Sequence, residues 1–324
     1  MRLSILAVPF LSLFALSVFA CGDDDASSGN ASTPDGGGTA DSSTTDSGGS
    51  GNDAGTDGSS DSGADSGGAS VGPGPYSIVY AGTFAGIDAR AVADGKATFS
   101  GFSLTGYEAS GPGADESPTI GTNMAKEVAG SSLFAIGRWS GGTTDGKFYN
   151  AGTAGKMTFA ANGGFHYGIG RPSDPIPSTG AATYTIDQKT AATVSDGSQA
   201  PGTITGALAM NLAGNTTKIG LSVTIDIPGS GTYTAESTGG TADPAQSDVL
   251  LNTSGGPNAP KATFYFNKTG ITNAGAACNG GTCSLGAYGF IVGPNAENVI
   301  VAVHFYAGSG GSPPSVSGVL AFKK

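Results

Sequence analysis

The chain has 324 residues, of which 57 are Gly and 12% are charged, with 25 acidic against 14 basic side chains for a formal charge of −11. Glycine without a strict every-third period excludes collagen, and an acidic balance with no basic face excludes a nucleic-acid binder. The acidity is confined to residues 22–75, which hold ten Asp and no Glu, Lys or Arg; residues 76–324, with 15 acidic and 13 basic residues, are nearly neutral.

Residues 1–20 read as an export signal, with Arg2 supplying the positive start and Leu3 to Phe19 an apolar stretch too short for a membrane span. Its end, Val18-Phe19-Ala20-Cys21, resembles the lipobox of bacterial lipoproteins. That resemblance implies a lipid anchor on Cys21 and attachment to a membrane through it; an ordinary secretory signal is the alternative. Gly22, in place of the Asp that signals inner-membrane retention in enteric bacteria, favours the outer membrane or cell surface. Residues 21–75 are a Gly, Ser and Asp-rich tether whose one clearly apolar side chain larger than Ala is Val71. Such a composition cannot bury enough surface to offset its ordering entropy, so the segment is expected to be disordered. As a flexible coil it spans about 40 Å. No part of it keeps the spacing of a calcium loop.

Residues 76–131 carry strand-like runs at Ile78-Val79-Tyr80 and Ala97 to Leu104, expected as accessory, handle-like strands. Asp115-Glu116 is the one adjacent acidic pair past residue 75, flanked by Gly111-Pro112-Gly113 and Ser117-Pro118, which reads as a loop without a sugar platform close in sequence. Carboxylate-pair hydrolysis is the sharper reading of that pair, a solvated loop the blander one.

Residues 132–324 are dominated by period two. Ile219, Leu221, Val223, Ile225 and Ile227 alternate with Gly220, Ser222, Thr224 and Asp226, which places every apolar side chain on one face of a strand. The same alternation marks Thr183 to Asp187, Thr203 to Leu212 and Thr263 to Asn267. Ser132 to Trp139, Gly164 to Gly170, Leu285 to Val292, Asn298 to Tyr306 and Ser315 to Phe322 are further strands. Asp-Gly, Asn-Gly and Pro-Gly turns separate the runs. Interior glycines, among them Gly137, Gly168, Gly206, Gly220, Gly286, Gly289 and Gly318, permit the coiling of a closed barrel. The polar faces of Ser222, Thr224 and Asp226 argue against a barrel that spans a membrane.

Cys278 and Cys283 bracket a Gly-rich turn, and a local disulfide is the simple reading in an oxidising compartment; a redox or metal pair lacks a two-residue spacing and a nearby His. The two histidines, His166 and His304, lie in predicted strands, which makes a His-based triad or a three-His zinc site hard to build. Both read as packed or surface groups, with haem ligation as the rival. Trp139 reads as core, with ligand stacking as the rival. No catalytic, cofactor or metal residue is assigned.

Gly289-Phe290, Gly293-Pro294-Asn295-Ala296-Glu297 and Ser317-Gly318-Val319-Leu320-Ala321-Phe322 resemble the turn and last strands of the transferrin-binding protein B lobe barrels of bacterial surface lipoproteins. Ile136-Gly137-Arg138-Trp139, Phe165-His166-Tyr167-Gly168-Ile169-Gly170 and Ile176 to Tyr184 resemble their opening strands. The resemblance implies an eight-stranded antiparallel up-and-down β-barrel over residues 132–324, with an N-terminal accessory sheet. It further implies a non-enzymatic binding module for a macromolecular ligand, a protein of unstated identity. A barrel of that size is filled by its own side chains, so contact falls to loops: Gly141 to Lys147, Arg171 to Gly180, Ser254 to Pro260 and Ala276 to Cys283. A structural or adhesive envelope component is the alternative function, and a hydrolase a more distant one.

Overall fold

A computed structural model describes residues 69–83, 86–109, 115–148, 155–254, 260–272, 278, 282–307 and 314–324. Residues 1–68, with Cys21, lie outside the described residues, as do 255–259, 276–277 and 279–281 of the expected contact loops.

The first nine strands are β1 (Tyr76–Thr83), β2 (Gly86–Val92), β3 (Ala97–Ser100), β4 (Ser103–Tyr107), β5 (Met124–Gly130), β6 (Phe134–Ser140), β7 (Gly142–Thr143), β8 (Thr158–Phe159) and β9 (Phe165–Gly170). Five of them form an antiparallel sheet in the order β2-β1-β9-β6-β5, while β3 pairs β4 and β7 pairs β8. The remaining strands are β10 (Gly180–Lys189), β11 (Thr193–Val194), β12 (Thr203–Leu212), β13 (Lys218–Ile227), β14 (Gly231–Glu236), β15 (Leu251–Asn252), β16 (Thr263–Thr272), β17 (Thr282–Val292), β18 (Asn298–Ala307) and β19 (Val316–Lys323). They form a ten-stranded antiparallel sheet in the order β14-β13-β12-β10-β19-β18-β17-β16-β15, with β11 beside β19. This sheet curls into a half-barrel. Near its ends, Lys218 bridges Leu250, Ile219 N donates to Val249 O at 3.0 Å, and Leu251 N donates to Thr217 O at 3.0 Å.

The alternation explains the curl. Ile219, Leu221, Val223, Ile225 and Ile227 of β13 point into one core with Met210, Phe264, Phe266, Val301, Phe305 and Phe322. The opposite face of β12 to β14 carries Thr205, Ser222, Thr224, Asp226 and Thr234, which are exposed or half-buried. Strands β17 to β19 break this pattern by being apolar on both faces. Their outward residues Phe290, Val292, Ile300, Ala302, Val319 and Ala321 pack against Val79, Ala81, Ala89, Phe134 and Ile136 of the five-stranded sheet. Strands covered on both sides read as continuous apolar runs, and Asn298–Ala307 is one. The far face of the five-stranded sheet holds a third core, in which Trp139, Phe165 and Tyr167 meet Leu104, Tyr107 and Phe148.

Several expectations change. Ser132 to Trp139 and Gly164 to Gly170, expected to open the barrel, are β6 and β9 of the smaller sheet, because β9 pairs β1 from Ser77↔Gly170 to Ala81↔His166. The larger sheet counts ten strands where eight are expected, the two-residue β11 and β15 being among them. Ala97 to Leu104, expected as one strand, folds back as the hairpin β3–β4. Gly168 serves sheet-to-sheet approach: a Cβ there would collide with Ile300 Cγ2 of the opposing layer. At the head of the fold Val71 is buried and Gly72 N donates to Ser132 O at 2.9 Å, so ordered structure begins ahead of Tyr76.

Candidate functional site

Both histidines stand at the seam between the two sheets, and each reaches toward the other layer. His166 leaves β9 on the side opposite Phe165 and Tyr167, and its Nδ1 and Nε2 lie 3.0 and 2.7 Å from the hydroxyls of Thr190 and Thr193. Thr190 Oγ1 also accepts from Val319 N at 3.0 Å, which ties the imidazole to β19. Burial holds His166 well below the ordinary imidazole pKa, and the neighbouring charge of Arg138 pushes the same way. Arg138 is itself buried, donating to both oxygens of Glu127 at 2.8 and 2.6 Å and to Gly163 O at 2.7 Å. Glu127 adopts φ 48° at the bulge of β5, a left-handed conformation that aims its carboxylate at that guanidinium.

His304 leaves β18 on the outer wall of the half-barrel. Its Nδ1 is 3.0 Å from Ser317 Oγ, its ring stacks on Tyr306 with centroids 5.4 Å apart and planes at 25°, and Gly86 leaves room for its Nε2 edge. Burial lowers its pKa to about 4, so the ring is neutral at pH 7.

Beside His304 a cleft of about 550 Å³ opens between the layers. The end of β1 and start of β2, residues 157–159, residues 195–196, the end of β18 and residues 314–315 line it. Met157 and Phe159 give it a buried apolar base. Loop ends across it are tied by Ser195 N donating to Ser315 O at 2.8 Å and Ser315 N donating to Ser195 Oγ at 3.0 Å. Thr83 Oγ1, on the lining, is buried and has no hydrogen-bond partner among the described residues. Asp196 is the one acidic residue of the described lining, and no Lys or Arg joins it.

A second polar group closes the far core. Glu116 is fully buried and accepts from Tyr80 Oη at 2.7 Å and Tyr107 Oη at 2.8 Å, with Arg90 Nε 3.4 Å away and Asp88 paired to Arg90. Burial raises both phenols well above their ordinary pKa; the Glu116 charge adds to this for Tyr80, and Tyr80 and Glu116 do so for Tyr107. Asp115 stays exposed, so the acidic pair is split between solvent and core. This geometry fastens a loop rather than poising two carboxylates across a substrate.

Trp139 is fully buried, its Nε1 donating to Leu104 O at 2.8 Å. Cys278 and Cys283 form a disulfide. Of the expected contact loops, Asp145 is bridged to Thr119 and paired with Lys156 at 2.6 Å, and Asp174 is paired with Lys261 at 2.6 Å. Among the described residues no group of three or more His, Cys, Asp or Glu could hold a metal ion. The cleft had no signal in the sequence, because its lining comes from five separate stretches of chain.

No protein-family profile and no curated protein matches the sequence. The fold is similar to the crystal structure of the isotype 1 transferrin binding protein B from serogroup B Neisseria meningitidis, at 11% sequence identity and a TM-score of 0.37. That likeness covers 76% of this chain and 43% of the other, so the chain spans less than half the length of the protein it resembles.

Proposed function

We propose that this chain is a lipid-anchored envelope lipoprotein, held at the outer membrane or cell surface by acylated Cys21, whose β-barrel is a non-enzymatic binding module for a protein ligand. The larger sheet closes in this reading through the Lys218–Leu250 bridge into a ring of eight positions, with β14 and β15 sharing one along β13. The observation that carries the reading is the filled interior: Met210, Phe264, Phe266, Phe305 and Phe322 occupy the space a ligand would need, which moves binding to loops and outer wall. The signal-like segment, Cys21 and the acidic tether supply the anchor and the reach. Protease shaving of intact cells followed by mass spectrometry of the released and retained fragments tests it. The expected result is release of the barrel with a lipid-modified Cys21 peptide left in the membrane, and saturable capture of one protein by the full chain. An unmodified Cys21, or a chain refractory to shaving that captures nothing saturably, overturns it.

A further inference from the structure

Beyond a protein partner, we propose that the cleft beside His304 is a binding site for a neutral saccharide. Four features of the lining converge on that chemistry. First, its lining carries aromatic rings that can stack: Tyr306 is half-buried and lies against His304 at 25°, and buried Phe159 lines the same space. The C–H face of a pyranose ring is apolar and packs on such a surface as any apolar group does.

Second, the lining is rich in hydroxyls and carries one carboxylate. Thr83, Ser195 and Ser315 supply donors and acceptors, and Asp196 supplies a charged acceptor for a vicinal pair of sugar hydroxyls. Third, the Thr83 hydroxyl is buried and unpartnered among the described residues. A buried hydroxyl without a partner is costly and rare, and a turn about the Thr83 side-chain bond would bring it to a ligand hydroxyl in the cleft.

Fourth, the charge is wrong for the competing classes. With no Lys or Arg in the described lining the cleft does not attract phosphate, sulfated or carboxylated ligands, and a single Asp is too little for a metal ion. His304 stays neutral at pH 7, so it acts as a hydrogen-bonding ring rather than a cation. A volume of about 550 Å³ suits a ligand of one to three sugar rings.

The test is isothermal titration calorimetry of the full chain against four neutral oligosaccharides, the tetramers of glucose in α-1,4 and β-1,4 linkage, of mannose and of N-acetylglucosamine, with a sulfated oligosaccharide as the charged comparison. At least one neutral tetramer is expected to bind saturably, and the sulfated one not to bind. Tyr306→Ala is expected to weaken that binding about tenfold, the loss of one stacked ring, while Tyr306→Phe retains it. Thr83→Val is expected to weaken it by a similar factor, and Thr234→Ala, on the exposed face of β14, to leave it unchanged; thermal unfolding of each variant confirms that it folds. Absence of saturable binding by every neutral tetramer, preference for the sulfated one, or binding that survives both Tyr306→Ala and Thr83→Val overturns the proposal. Capture of a protein by the barrel is scored separately, so each reading fails alone.

Discussion

Glu116 shows how one side chain can hold a layer in place. It comes from a loop, yet its two oxygens take the hydroxyls of Tyr80 on β1 and Tyr107 on β4, joining the sheet to the hairpin that covers it. Replacing it by Ala strands two buried phenols and removes one of the two carboxylates beside Arg90, so Glu116→Ala is expected to cost about 2–4 kcal/mol of unfolding free energy. Urea titration followed by near-ultraviolet circular dichroism measures it, and Asp115→Ala next door is expected to change little. The sequence showed only an acid between Pro and Gly residues, a loop signature that is correct for the backbone and silent about the side chain. The three partners of Glu116 lie on three different strands, so nothing in their spacing announces the group. Trp139 and Cys278–Cys283 were legible because a lone Trp in an apolar strand and two close cysteines around a turn each admit few outcomes.

Among the elements, β10, β12, β13 and β16 stand where alternation with polar partners put them, and β17 to β19 where β-branched and aromatic runs did. Strands β2, β5 and β14 carried no such signal: β5 has mostly exposed residues and a bulge at Glu127, and β14 has Tyr233 as its one large apolar side chain. The hairpin β3–β4 was hidden because its turn rests on a single Gly101 at φ 60°. Gly168 bears on the contact between layers. Any side chain there meets Ile300 and Val319 across the seam, so Gly168→Val is expected to destabilise by about 1–3 kcal/mol through overpacking. Thermal denaturation reports it, and Ile300→Ala in the same chain is expected to recover part of the loss, which a simple cavity at Ile300 would not do.

For the whole molecule, which strand belongs to which sheet was not readable, because a period of two gives the face of a strand and never its neighbour. Residues 166–170 pair with 77–81 across a long stretch of chain, and only tertiary packing decides that. Both histidines are buried at the seam so formed, which couples folding to pH. His304 has its pKa lowered to about 4 and His166 is held well below the ordinary imidazole value, against 6.5 in an unfolded chain. The unfolded chain therefore takes up protons first, so stability is full above pH 6.5 and falls as pH drops toward 4. His304 alone contributes on the order of 3 kcal/mol to that loss. The midpoint of urea unfolding is expected to fall steadily between pH 7 and 4, and His304→Gln, which keeps a polar ring-sized group at Ser317, to flatten the slope.

Strands β17 to β19 belong to two hydrophobic interiors at once. The smaller layer is consequently no detachable appendage: a protein severed between Gly170 and Gly180 would bare a greasy strip along its flank and clump with its own kind. Loops can lengthen without disturbing either interior, but the two layers stand or fall together.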